Sequence, residues 1–129
     1  MKMIVYAINL AAVLAAFIAG PGFVYADEHG KKTAKHLEEA IKSGKEGRIQ
    51  GVVSHTEEAR KELIEQNKEH PYTHLQKPIY GEHEKAEHDR EVFEEMELAI
   101  DEAKEGDSEE AVEALERASE HLREKEHAK

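Results

Sequence analysis

Lys104-Glu105-Gly106 repeats Lys45-Glu46-Gly47 at a distance of 59 residues, and the match continues on both sides of it. Ala40-Ile41 falls on Ala99-Ile100, Val53 on Val112, Glu57 on Glu116, Ala59 on Ala118 and Leu63 on Leu122. His29 falls on His88 by the same shift. Each copy reads as helix, tight turn, helix, so one αα-hairpin occurs twice. The expected fold is all-α: a four-helix bundle of two duplicated hairpins, at about 29–68 and 82–127, joined by a linker over 69–81.

Residues 1–26 stand apart from this pattern. Lys2 is the only charge before Asp27, and Ile4 to Ala19 is apolar apart from Asn9. Gly20-Pro21-Gly22 breaks the run, and Val24-Tyr25-Ala26 closes it on a small residue suited to signal peptidase. A cleaved signal peptide is expected, with 27–129 delivered to the periplasm as one metal-binding domain that keeps no hold on the membrane. A retained anchor is the competing reading, for which the apolar run is short.

The chain carries 18 basic and 29 acidic residues, and all but Lys2 of these lie after residue 26. Phosphate binding needs a basic face, which excludes nucleic acid as a partner. A negative field concentrates cations instead. There is no cysteine, which removes disulfides, Fe–S clusters and c-type haem attachment.

Four apolar stripes at helical spacing set the elements. The first, over 33–45, has Ala34, Leu37, Ala40 and Ile41 inward and ends at Gly44 and Gly47. The second, from Ile49 to Lys68, turns Val52, Val53, Thr56, Ala59, Leu63 and Ile64 inward. Pro71 and Pro78 bracket the linker and break the helix there. The third, about 82–104, buries Ala86, Phe93, Met96, Ile100 and Ala103. The fourth starts at Asp107, whose spacing to Glu110 fits a capping box, and buries Ala111, Val112, Leu115, Ala118 and Leu122. A core of small aliphatic side chains leaves the free protein, expected to be a monomer, only marginally stable.

The chemistry lies in nine histidines. Steps of seven residues, carried through both copies, give twelve slots. They hold His29, His36, Ser43, Arg48, His55, Glu62, His88, Glu95, Glu102, Asp107, Ala114 and His121. Nine of these twelve residues can ligate a divalent metal. Seven residues climb about 10.5 Å along a helix, whereas metal–nitrogen bonds are about 2 Å, so two successive slots cannot share an ion. Each histidine needs a partner three or four residues away or on a neighbouring helix. Local partners exist: Glu39 for His36, Glu58 for His55, Glu87 for His83, Glu84 and Glu91 for His88, and Glu124 for His121.

Imidazole and carboxylate without thiolate suit copper(II), nickel and zinc rather than copper(I). The candidate metal ligands are His29, His36, His55, His70, His74, His83, His88 and His121. His70 and His74, beside Pro71, form an irregular site or only loop polarity, and His127 reads as a solvated tail residue. The plain alternative for the whole set is a solvated His- and Glu-rich surface. A di-iron bundle needs Glu-x-x-His on two helices, and that spacing occurs only at Glu124 to His127. The aliphatic stripes offer no axial haem ligand. No catalytic constellation stands out, so no enzyme is expected.

The run His36-Leu37-Glu38-Glu39-Ala40-Ile41-Lys42-Ser43-Gly44-Lys45-Glu46-Gly47, with Val53-Ser54-His55, Ala99-Ile100 through Lys104-Glu105-Gly106, and Ala118-Ser119-Glu120-His121-Leu122, resembles the small metal-binding protein family. These are periplasmic His-rich four-helix bundles that bind copper and other divalent metals. The family pattern is similar to His-x-x-Glu-Ala-Ile-x-His-Gly-x-Glu-Gly, with histidine every seven residues. This chain departs from it at Ser43, Arg48, Glu62, Glu95, Glu102, Asp107 and Ala114. The resemblance therefore implies ligand roles for His29, His36, His55, His88 and His121 only. The function expected is non-catalytic buffering or scavenging of divalent metal, lost below about pH 5 where imidazole is protonated. The alternatives are a helical periplasmic chaperone working without metal, and a purely structural helical spacer.

Overall fold

A computed structural model describes residues 28–71 and 82–128. The described residues form four helices: α1 (Glu28–Lys45), α2 (Ile49–Glu69), α3 (Glu82–Lys104) and α4 (Ser108–His127). The signal-peptide reading of 1–26 and most of the 69–81 linker, with His74, lie outside the described residues.

The two turns are built alike, as the repeat requires. Gly47 and Gly106 both hold positive φ, at 73° and 88°, which only glycine adopts without strain. In the first turn Arg48 N donates to Ser43 O (2.8 Å) and Gly47 N to Gly44 O (3.0 Å). In the second, Asp107 N donates to Glu102 O (2.9 Å) and Gly106 N to Ala103 O (3.0 Å). Both are Schellman closures, which satisfy carbonyls that the ending helix would otherwise leave bare. The helices that follow are capped differently. Asp107 accepts from Glu110 N at 3.0 Å, whereas Arg48 makes no side-chain cap.

All neighbouring helices run antiparallel. α1 packs on α2 and α3 on α4, and the hairpins join through α1 against α4 and α2 against α3. Both turns lie at one end, where Lys45 Nζ is 3.5 Å from Glu116 Oε1. At the other end Gln66 donates to Glu126 at 3.0 Å.

The core is aliphatic and fully enclosed: Leu37, Ala40, Val52, Ala59 and Leu63 from the first hairpin, with Val92, Met96, Ala99, Ala103, Ala111, Ala114, Leu115, Ala118 and Leu122 from the second. Two expectations need correction, and Ala86, Phe93 and Val112, expected to be buried, are half-buried. Ile64 is exposed rather than inward, because Leu63, one residue or about 100° away, takes the core-facing position. Gly44 does not end α1: it is buried inside the helix, where a Cβ would stand 2.4 Å from Val112 Cγ2 of α4. It lets the two hairpins approach. α1 starts at Glu28, beside the expected hairpin start at about 29 and ahead of its apolar stripe.

Candidate metal centres

The shared turn geometry fixes how the seven-residue slots meet. Slots pair across each hairpin, 29 with 62, 36 with 55 and 43 with 48 in the first, and 88 with 121, 95 with 114 and 102 with 107 in the second. A spacing read along one helix thus becomes a set of rungs between two. Two rungs carry histidine on both sides. His36 and His55 stack with ring centroids 5.9 Å apart and planes at 27°, and His88 and His121 do so at 6.0 Å and 27°. These four side chains are 20–35% exposed while the core stripes beside them are sealed. They line the outer seam of each hairpin, where an ion can enter.

On the second hairpin, two carboxylates close the rung. His121 Nδ1 is 2.6 Å from Glu91 Oε2 and 3.5 Å from Glu124 Oε2. His88 Nδ1 is 3.0 Å from Glu124 Oε2 and 3.4 Å from Glu91 Oε2. Each imidazole is therefore edged by both carboxylates, and ligand atoms from all four residues lie within 4.8 Å of one another. Donors about 2.1 Å from a common ion stand roughly 3–4 Å apart, which this spacing matches. Glu84, 3.8 Å from His88 Nε2, stays outside the group.

On the first hairpin Glu39 serves both rings, 3.0 Å from His55 Nδ1 and 3.6 Å from His36 Nδ1. His36, Glu39 and His55 form a group of three within the same 4.8 Å. Glu58, the partner expected for His55, is exposed and does not join it.

The ring nitrogens give the test of fit. Nδ1 of His36, His88 and His121 is buried and has no hydrogen-bond partner. For His88 and His121 the carboxylate oxygens are near enough but lie off the direction of a ring N–H. Leaving a buried nitrogen unbonded costs about 1–3 kcal/mol. Three such atoms beside converging carboxylates are what a cation would satisfy.

The other rungs have been filled in different ways. His29 Nδ1 is 2.7 Å from Glu62 Oε2 and its Nε2 is 3.1 Å from Glu69 Oε1, so both ring nitrogens are engaged by carboxylates of α2. The bond to Glu62, then that to Glu69, raises the His29 pKa above 6.5. Arg117 Nε donates to Glu95 at 3.0 Å, which closes the 95/114 rung with a cation of the protein's own. Glu102 is raised by burial and then by its acidic neighbours Glu105, Asp107, Glu110 and Asp101. Ser43 is buried, and Arg48 turns out to pair with Glu46. His70 and His83 are exposed and join neither group.

A family model described as small metal-binding protein matches residues 2–125. The chain belongs to the small metal-binding protein family. No curated protein and no solved structure gave a match. Membership of the small metal-binding protein family and the two His/Glu groups agree on the class of ligand, a metal ion. Glu39, Glu91 and Glu124 were legible beforehand as local partners of single histidines. Their bridging between helices was not, because it depends on the cross-hairpin register. Among the described residues no helix is long and apolar enough to cross a membrane.

Proposed function

We propose that this protein is an exported, non-catalytic carrier of divalent transition metal that buffers or scavenges the ion in the periplasm. Copper(II) leads, followed by nickel and zinc, since nitrogen and oxygen donors rank these ions in that general order of affinity and no thiolate favours copper(I). The ligands are His88, Glu91, His121 and Glu124 on one hairpin and His36, Glu39 and His55 on the other. The observation that carries the reading is the set of buried, unbonded Nδ1 atoms at both rungs. Export rests on the apolar leader over residues 1–26. A metal-free chaperone would need a broad apolar face, and the large hydrophobic residues exposed among those described are Ile64 and Leu98.

Calorimetric titration of untagged protein with copper(II), nickel(II) and zinc(II) at neutral pH tests this. Micromolar or tighter uptake is expected, abolished when His36, His55, His88 and His121 are all changed to alanine. Binding no tighter than about millimolar (roughly 4 kcal/mol) for every ion would overturn the reading.

A further inference from the structure

The two stacked rungs are nearly the same object, which makes their one difference informative. Ring separation agrees within 0.1 Å and ring angle is 27° in both. Each rung also carries a glutamate three residues after each histidine: Glu39 and Glu58 on the first hairpin, Glu91 and Glu124 on the second. On the second hairpin both glutamates turn in and the shell has four protein donors. On the first, Glu39 alone turns in and sits between the rings, while Glu58 faces solvent.

We propose that the first-hairpin site is an exchange site, which holds its ion through His36, Glu39 and His55 and takes a further ligand from another molecule. This rests on the metal-binding reading above. Copper(II), nickel(II) and zinc(II) all take at least four donors, so three protein donors leave at least one position to water. A neutral nitrogen or carboxylate donor displaces that water with no change in oxidation state. The incoming group forms one metal–ligand bond as the water leaves. Free imidazole, amino acids and the side chains of a receiving protein share this donor chemistry. The seam location, with the His55 side chain about a third exposed, gives such a donor access. The second-hairpin site supplies from the protein the four close donors of tetrahedral zinc(II) or square-planar copper(II), and so retains its ion.

The test uses full-chain variants that leave one site each. His88→Ala with His121→Ala keeps the first-hairpin site, and His36→Ala with His55→Ala keeps the second. Helicity by circular dichroism verifies that both fold. Each is loaded with one equivalent of copper(II) and titrated with imidazole, followed by electron paramagnetic resonance and visible absorption. The first-hairpin protein is expected to form a ternary complex, with altered copper spectra while the ion stays protein-bound. The second-hairpin protein is expected to keep its spectrum until imidazole strips the ion out, and to bind copper on the order of ten-fold tighter or more, as loss of even an outer partner costs 10–100-fold.

Glu124→Gln is expected to make the second site accept imidazole as the first does, and Glu58→Gln to change nothing. Identical imidazole responses at the two sites, or a loss from Glu58→Gln as large as that from Glu124→Gln, overturns the exchange proposal and leaves metal binding standing. No copper uptake by either variant or by the parent protein overturns both.

Discussion

Lys125 Nζ lies 2.7 Å from Asp89 Oδ1, with both side chains no more than 10% exposed. The same ammonium donates to Gln66 Oε1 at 2.9 Å and to Asn67 Oδ1 at 3.2 Å, and Asn67 Nδ2 donates to Asp89 Oδ2 at 2.8 Å. This knot ties α2, α3 and α4 at the end of the bundle away from the turns. It also flanks the second-hairpin rung, since Asp89 follows His88 and Lys125 follows Glu124. In the first copy the equivalent positions hold Gly30 and Gln66, so no such pair exists there. A well-bonded buried pair adds little net stability, yet removing one partner strands the other. Lys125→Met is expected to destabilise the fold by about 3 kcal/mol in urea unfolding. It should also weaken copper binding at the second-hairpin site more than at the first. Equal weakening at both sites would mean that the knot acts on the fold alone.

Gly44 lies where α1 of one hairpin approaches α4 of the other without room for a side chain. A Cβ there would meet Val112 Cγ2 at 2.4 Å and Val52 Cγ2 at 3.4 Å. In the second copy the same position is Ala103, which is accommodated. Gly44→Ala gains helix propensity but forces α1 and α4 apart, and overpacking of this kind costs about 1–3 kcal/mol. The expected sign is destabilising. Adding Val112→Ala should recover part of the loss, and a double-mutant cycle by thermal unfolding measures the coupling. Strict additivity would show that the helices adjust without strain.

His29 joins the first turn of α1 to α2 through Glu62 and Glu69, and these contacts raise its pKa above 6.5. A group whose folded pKa is raised stabilises fully below its unfolded value and loses that contribution as pH climbs through the folded value. The window therefore opens near 6.5 and extends upward. The stability difference between the parent and His29→Gln should be largest at about pH 6 and shrink by pH 8, read by thermal unfolding without metal. A difference that stays constant or grows with pH would count against the clamp.

Much of this architecture was legible in the sequence because it depends on local spacing. The 59-residue repeat and four apolar stripes were enough for two hairpins in one bundle, and α3 begins and ends where its pattern does. Asp107 caps α4 as its spacing to Glu110 implied. What escaped depends on contacts between helices. His29 reaches across to Glu62 and Glu69 of α2, contacts that leave no trace in a hydrophobic period. The rungs escaped for the same reason. Seven-residue steps placed His36 and His55 on one ruler, but only the turn register sets them side by side with Glu39 between.

The same register makes an additional site constructible. On the second hairpin the middle rung carries Glu95, Leu98 and Ala114 where the first carries His36, Glu39 and His55. Arg117 stands where Glu58 does and neutralises Glu95 at 3.0 Å. The pair is exposed enough for its loss to cost little, on the order of 1 kcal/mol or less. Leu98 is itself exposed, so a carboxylate there meets water rather than core. Glu95→His, Leu98→Glu, Ala114→His and Arg117→Glu together should add one ion to the copper(II) stoichiometry, with affinity near that of the first-hairpin site or tighter. Ala114 is fully enclosed, so the larger side chain has to emerge into the seam as His55 does at the equivalent position of the first hairpin. Equilibrium dialysis against copper(II) counts the ions, and urea unfolding verifies that the bundle persists. If the variant folds and its stoichiometry does not rise, the stacked rung with its glutamate is not sufficient for binding.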